Sequence, residues 1–143
     1  MMTAQIGRLL KIASNRLSWE LDQFAQQHGL TGTQMSFIDY LYRETQNGRT
    51  ILQRDIEHEF RIQRSTTTQV LQAMEKKGLV RRQNATSDAR QKEVHLTPAA
   101  KDQIQLVRHY MQQSDQTLTK SYSAAEVRLI THFLHQIAHI DEE

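Results

Sequence analysis

Residues 62–98 read IQRSTTTQVLQAMEKKGLVRRQNATSDARQKEVHLTP, and this stretch decides the fold. In its first half, apolar side chains recur at three- and four-residue spacing, which predicts an amphipathic helix from Arg64 to Lys77. Gly78 follows where a left-handed C-terminal cap is needed, and Leu79 can fold back on Met74, as a Schellman ending requires. The stretch therefore opens with a helix that has a defined end.

The second half of the stretch predicts a hairpin. Residues 80–82 and 93–96 alternate between apolar and polar side chains, as short strands do, and a polar loop joins them. Thr97 then precedes Pro98, which places an N-cap hydroxyl before a proline at the first helical position. A long helix is expected from there to about Lys120.

Upstream of this stretch, the pattern predicts a helix-turn-helix. A short helix is expected from Leu52 to Phe60, and a tight turn at 61–63 connects it to the helix that begins at Arg64. Such a pair delivers its second helix into a DNA major groove, which is about 12 Å wide. With the hairpin behind it, the segment is expected to form a winged helix-turn-helix lobe.

Further helices are expected on both flanks of this lobe. Residues Thr3 to Gln27 follow the helical period on one face. Thr31 or Thr33 can cap a second helix from Gln34 to about Glu44. A capping box at residues 123–126 opens the last helix. The predicted fold class is therefore mainly α, with one small β-wing.

The positive charge is concentrated on the winged segment. Eight of the 18 Lys and Arg lie between Arg61 and Lys92, where only two acidic residues occur, so this segment carries a net charge of +6. The whole chain carries only +2. Because neutralising phosphates requires clustered bases, this distribution favours contact with nucleic acid.

The helix at 64–77 has an outward face suited to reading bases. Hydroxyls, carboxamides and one cation fall within a sector of about 100° opposite the apolar side chains, without an acidic residue. Carboxamides pair with adenine, hydroxyls contact bases or phosphates, and the free N–H groups of the helix start attract phosphate. The residues predicted to contact DNA are Arg64, Ser65, Thr66, Thr68, Gln69, Gln72, Lys76, Arg82 and Arg90.

The hairpin loop carries an Asp-x-Arg motif. Arg90 at the tip is expected to enter a minor groove, whose narrow form attracts guanidinium groups. Asp88 would repel phosphate if its carboxylate were free. We therefore expect Asp88 to pair with a nearby arginine and to stabilise the wing.

In these features the chain resembles the MarR family of winged-helix regulators. The wing pattern of that family is Asp-x-Arg followed after five residues by Leu-Thr. Asp88, Arg90, Leu96 and Thr97 match it in residue type and spacing. A similar order of helices covers essentially the whole chain.

Three positions depart from the family pattern without threatening the fold. Gln63 stands where a better N-capping Ser or Asp is favoured, Thr67 replaces a usually buried Val, and Ala100 replaces a common Gly. Base preference is set by the helix face, so the operator sequence stays open.

The resemblance implies a triangular homodimer in which the terminal helices of two subunits interlock. It divides the chain into an N-terminal dimerisation helix (1–30), a winged helix-turn-helix DNA-binding domain (31–97) and C-terminal dimerisation helices (98–143). It also implies a double-stranded, palindromic DNA operator and a repressor that a small aromatic or lipophilic effector releases.

Composition and motifs exclude several other classes. The chain has no cysteine, which excludes disulfides, thiolate catalysis and the peroxide-sensing branch of the family. His58-Glu59 begins like a zinc-protease motif, but Ile62 stands where the second histidine belongs. We expect neither enzymatic activity nor a cofactor. Since no apolar run exceeds three residues and no signal-peptide core occurs, a cytoplasmic protein without membrane contact is expected.

A candidate effector site combines residues of the first two helices. Trp19, His28 and Met35 lie where these helices should approach the winged lobe. A pocket there would suit an aromatic or lipophilic effector. Packing in the core or against a second subunit explains the same three residues equally well.

A candidate metal site lies on the last helix. His132, His135 and His139 share a sector of roughly 60°, a geometry that suits a divalent metal. That sector is expected to face solvent without supporting ligands, so we expect no metal there. A metal-responsive regulator remains one alternative, and a protein-interaction module such as an antirepressor is the other. Arg90 and the acid-free helix face favour DNA binding. The residues themselves do not distinguish repression from activation, and the expectation of a repressor comes from the family resemblance.

Overall fold

The computed structural model describes residues 4–141, which form six α-helices and one two-stranded sheet. The helices are α1 (Ile6–Gln27), α2 (Gly32–Gln46), α3 (Gln53–Phe60), α4 (Arg64–Lys76), α5 (Lys101–Thr119) and α6 (Ala124–Ala138). The strands are β1 (Val80–Asn84) and β2 (Lys92–Leu96). The predicted order of elements is confirmed, and Thr3, the expected start of the first helix, lies outside the described residues.

The chain divides into two compact units. The first ends at Val107 and the second begins at Arg108, so the boundary falls inside α5. The first unit contains α1 to α4, both strands and the beginning of α5. The functional division at 30/31 and 97/98 stays a prediction, because compactness alone does not test it.

The core of the first unit is centred on α2. Met35, Phe37 and Ile38 are fully buried. The ring of Phe60, in α3, lies 5.0 Å from that of Phe37 and 5.8 Å from that of Tyr40, measured between centroids. Burying a large apolar side chain stabilises a fold by about 1.5–3 kcal/mol. This cluster therefore fixes α3 against α2.

The hairpin is antiparallel and pairs over five residues on each strand, starting from Val80 opposite Leu96. It is longer at the loop end than the alternation predicts, because the polar residues 83–84 pair through their backbone. The N–H of Val94 also donates to the carbonyl of Ile51, at 2.8 Å. The segment before α3 thus attaches the hairpin to the helix-turn-helix.

Two capping boxes fix the starts of α2 and α6. The hydroxyl of Thr31 accepts from the N–H of Gln34, and the side-chain carbonyl of Gln34 accepts from the N–H of Thr31, both at 3.1 Å. This cap selects Thr31 over Thr33 and begins α2 two residues earlier than expected. Ser123 and Glu126 form the box predicted for the last helix.

The end of α4 has the predicted Schellman geometry. Gly78 has a φ of 74°, and the N–H of Leu79 donates to the carbonyl of Met74 at 3.0 Å. Thr97 is the N-cap residue and Pro98 follows it at the helix start, as predicted, but the helix begins as a 3₁₀ turn, Pro98–Ala100, before α5. The Thr97 hydroxyl makes no capping bond and donates to the carbonyl of Gly78 instead. Thr97 therefore joins the end of β2 to the end of α4.

Large apolar side chains on α1 and α6 remain exposed. Trp19 on α1 is 63% exposed. On α6, Ile130, Leu134 and Ile137 recur at helical spacing along one face, and each is at least 40% exposed. This face of α6 is therefore an exposed apolar surface. Separately, the helices of residues 4–141 include none with the length and apolar character of a membrane span.

Candidate nucleic-acid interface

The helix α4 buries one face and exposes the other, as the sequence predicts. Thr67, Leu71 and Met74 are fully buried. The side chains on the opposite face are exposed, except that Thr68 is half-buried; these outward residues are Ser65, Thr68, Gln69, Gln72 and Lys76. Because the buried side chains fix the rotation of α4 about its axis, the hydroxyls and carboxamides stand in one row toward solvent.

The start of α4 has no side-chain cap on its outer surface. Gln63 makes no capping hydrogen bond. The buried hydroxyl of Thr67 donates to the carbonyl of Gln63 at 3.0 Å, which holds the first turn from inside. Arg64, Ser65 and Thr66 are exposed at this end of the helix. Free N–H groups at a helix start, with the positive end of the dipole, attract anions such as a DNA phosphate.

The tip of the wing (residues 80–96) is held by Asp88 and Arg90. One carboxylate oxygen of Asp88 accepts from the N–H of Arg90 at 3.0 Å and from its Nε at 3.2 Å. These bonds, with a smaller contribution from the nearby Arg54, hold the pKa of Asp88 below its usual range. The side chain of Arg90 remains 90% exposed, so the guanidinium is paired yet accessible to DNA.

A basic groove joins three elements of the lobe. It has a volume of about 130 Å³ and is lined by Arg54 of α3, Arg64 of α4, and Arg90 and Lys92 of the wing. Glu57 is the acidic residue among its lining side chains. Arg54 was missed in the sequence because it lies outside the basic segment 61–92. Its position in the first turn of α3 was the available signal.

Arg82 does not lie with the other predicted DNA contacts. Its side chain is only 17% exposed. Nε and Nη2 both donate to Oε1 of Glu75, at 3.0 and 2.9 Å, and Nη1 donates to Oε1 of Gln53 at 3.0 Å. The prediction of a DNA contact is therefore not supported by this geometry. The alternation along β1 was the available signal, because it places Arg82 on the same side of the strand as the buried Val80.

Lys77 is exposed, but its ammonium group is bonded to other parts of the lobe. Its Nζ donates to the carbonyl of Gly29 at 2.7 Å and to Oε1 of Gln34 at 2.9 Å. The neighbouring Lys76 is exposed on the outward face. Two consecutive lysines thus have different surroundings, one at the solvent face of α4 and one against the α1–α2 corner.

The structure does not bring the three candidate effector residues together. Met35 is fully buried in the core, Trp19 is exposed, and the ring of His28 packs on that of Phe24 with centroids 4.6 Å apart. A cavity of about 250 Å³ does lie between α1, α2 and the α3–α4 turn, but none of the three lines it. Its floor is apolar and its rim polar; the lining includes Leu21, Phe37, Phe60, Ile62, Ser18 and Asp22.

The three histidines of the last helix do not share one environment. His132 and His139 are exposed, whereas His135 is half-buried, so the expectation that the whole sector faces solvent is wrong for His135. His139 also lies in the left-handed conformation that ends α6. Within residues 4–141 no group of three or more His, Asp or Glu side chains is arranged to hold a metal ion.

A short helix, a tight turn, an exposed polar helix and a two-stranded wing with a cation at its tip define a winged helix-turn-helix protein. The model of the MarR family matches residues 28–91. The transcription regulator MarR from Oenococcus oeni PSU-1 is 41% identical, and the alignment covers 94% of this chain and 99% of that one with a TM-score of 0.78. The chain belongs to the MarR family of transcriptional regulators.

More distant structures have the same fold. The MepR–DNA complex from S. aureus has a TM-score of 0.78 at 23% identity, with 96% of each chain covered. S. aureus MepR in its DNA-binding conformation has a TM-score of 0.85 at 23% identity, with 93% of this chain and 96% of that one covered. At this identity the likeness concerns the fold. No curated protein sequence matches the chain significantly.

Proposed function

We propose that this chain is a sequence-specific transcriptional regulator that binds palindromic double-stranded DNA as a homodimer. The outward face of α4 carries the proposal, because Ser65, Gln69 and Gln72 are exposed in one row that contains no acidic residue. Such side chains match the donors and acceptors of a major groove. Arg90 on the wing adds a cation for the flanking minor groove or backbone. The MepR structure solved as a DNA complex shares this fold.

The proposal of a homodimer rests on the exposed apolar faces of α1 and α6. Ile6, Leu9 and Ile12 on α1 are each about half exposed, as are Leu134 and Ile137 on α6. Apolar helix faces of this kind are normally covered in soluble proteins. A symmetric dimer covers it with the same surface of a second copy and presents two α4 helices to two half-sites.

We further propose that the regulator represses transcription and is released by a small aromatic or lipophilic effector. A dimer seated on promoter DNA excludes other proteins from it. The cavity between α1, α2 and the α3–α4 turn offers an apolar floor, with Phe37 and Phe60, and a polar rim. An effector there would contact the turn that carries α4. Trp19 remains the exposed aromatic candidate for a site completed by a second subunit.

Selection from random duplex DNA tests the proposed function. Purified full-length protein is expected to enrich a two-fold symmetric sequence whose half-sites lie about one helical turn, or a multiple of it, apart. Fluorescence anisotropy then compares the enriched duplex with a scrambled duplex of the same composition. Equal affinity for the two duplexes would contradict sequence-specific recognition. A stable folded monomer in sedimentation at micromolar concentration would contradict the dimer.

A further inference from the structure

The buried carboxamide of Gln53 forms a hydrogen bond with the hydroxyl of Thr68, on the outward face of α4. Nε2 of Gln53 donates to Oγ1 of Thr68 at 2.8 Å and to Oε2 of Glu57 at 3.3 Å. Oε1 of Gln53 accepts from Nη1 of Arg82 at 3.0 Å. Gln53 is only 7% exposed, so its own side chain is out of reach of DNA.

The orientation of the Gln53 carboxamide is fixed by its charged neighbours. A guanidinium only donates hydrogen bonds and an ionised carboxylate only accepts them. Turning the amide over would place its NH₂ group against Arg82 and its carbonyl against Glu57, which opposes donor to donor and acceptor to acceptor. The carbonyl therefore faces Arg82, and the NH₂ group faces Thr68.

This orientation decides what Thr68 can offer to DNA. A threonine hydroxyl has one proton and two lone pairs, and here one lone pair is occupied by Gln53. Among residues 4–141, no hydrogen-bond acceptor takes the hydroxyl proton of Thr68. Thr68 lies on the same face as Gln69 and Gln72. Its hydroxyl is thus held as a hydrogen-bond donor at the outward surface.

We propose that Gln53 is a specificity-determining positioning residue: through its bond to Thr68, it makes that hydroxyl a donor that selects an acceptor on a base edge. In the major groove the acceptors are N7 and O6 of guanine, N7 of adenine and O4 of thymine. Arg82 is the residue that holds Gln53 in this state. The inference rests on the proposed DNA-binding function, and it specifies that the Thr68 hydroxyl acts there as a hydrogen-bond donor.

An exchange of amide and carboxylate tests the proposal without changing the net charge. In the double variant Gln53→Glu with Glu57→Gln, the buried position carries only acceptors, which still satisfy Arg82. Thr68 must then donate its proton inward, and its lone pairs face DNA. At one position of the selected sequence, the preferred base should change from one that presents a hydrogen-bond acceptor to one that presents a donor, such as cytosine with its N4 amino group. The ratio of affinities for the two bases should change by about tenfold. The rest of the sequence and the salt dependence should not change.

Further variants assign that position to Thr68. Thr68→Val keeps the shape of the side chain and removes the hydroxyl, so the preference should be lost at the same position. In the Thr68→Val background, the amide–carboxylate exchange should have no further effect on base preference. Gln53→Met leaves the hydroxyl without its anchor and should weaken the preference there even if the double variant folds poorly. Glu57→Gln alone is the control and should retain the wild-type base.

The outcomes separate this inference from the proposed function. If the wild-type protein selects a sequence and the double variant selects that same sequence at every position, the inference is overturned but the proposed function is not. An equal loss of affinity for all duplexes would also overturn it, since that result assigns Thr68 to a phosphate. A wild-type protein that selects no sequence would overturn both. A change of base confined to the position that is sensitive to Thr68→Val supports the inference.

Discussion

Replacing Lys77 and Lys76 in turn by methionine compares a lysine that is bonded within the lobe with one that we expect to contact DNA. The Nζ of Lys77 donates to the carbonyl of Gly29 at 2.7 Å and to Oε1 of Gln34 at 2.9 Å, and Gln34 is only 4% exposed. Methionine keeps the apolar stem and removes both donors. Hydrogen bonds from a charged group contribute about 1.5–3 kcal/mol, but solvent at the ammonium weakens them. We expect the free energy of unfolding to fall by about 1–2 kcal/mol.

Lys76→Met is the matched control. Lys76 is exposed and forms no hydrogen bond or ion pair with another residue of 4–141, so its replacement should change the free energy of unfolding by less than about 0.5 kcal/mol. If Lys76 contacts a phosphate, its loss should flatten the slope of log K against log salt by about 0.9 for each subunit. Lys77→Met should leave that slope unchanged.

Urea denaturation and salt-dependent fluorescence anisotropy measure the two quantities on the same preparations. The expected pattern is a stability loss with an unchanged salt slope for Lys77→Met, and the reverse for Lys76→Met. If Lys77→Met flattened the salt slope and left the unfolding midpoint unchanged, the assignment of Lys77 as a positioning residue would be refuted.

In anisotropy titrations, Arg90→Ala should weaken binding to all duplexes and flatten the salt slope by about one unit per subunit. Arg43→Ala is the control, because it also removes an exposed arginine paired with an aspartate, and it should leave the titrations unchanged. Gln72→Ala should instead reduce operator preference by about 1–3 kcal/mol with an unchanged slope, so identical behaviour of Arg90→Ala and Gln72→Ala would disprove their different roles. NMR titration should give Asp88 a pKa below the usual range. The ion pair between Asp88 and Arg90 should therefore persist at pH values above that lowered pKa and be lost as the pH falls through it. Arg90→Ala should raise the pKa of Asp88 toward its ordinary value. Ser123→Ala should lower the free energy of unfolding by about 1 kcal/mol in urea denaturation, because the N-cap of α6 is lost, and an unchanged midpoint would contradict that role.

The helices of the lobe could be predicted from the sequence because local signals specify them. The glycine after Lys77 ends α4 in a left-handed conformation, and the apolar period decides which face of α4 is buried. Thr67, which stands where the family pattern has a buried Val, is itself fully buried. Each of these features depends on residues within about one or two turns of helix, so no knowledge of distant contacts is required.

The surroundings of individual side chains could not be predicted in the same way. Arg82 bonds to Gln53, which is 29 positions away, and Lys77 bonds to Gly29, which is 48 positions away. Composition shows that both are cations but does not show which distant group each one bonds to. Met35, a candidate for the effector site, lies in the core. The helical period could not distinguish these two roles, because it does not say which neighbouring element covers a given face. Long-range packing decides these positions.

The internal anchoring of α4 has a consequence for how such a regulator acquires a new target. The first turn is held by the buried hydroxyl of Thr67 and not by an outer capping side chain, so Ser65 and Gln69 can be exchanged without removing a support of the helix. Natural variation or a designed library can therefore sample these two positions at little cost in folding. Thr68 is different, because its hydroxyl is bonded to Gln53. Changing residue 68 to alter the base preference therefore requires a compensating change at Gln53, inside the lobe.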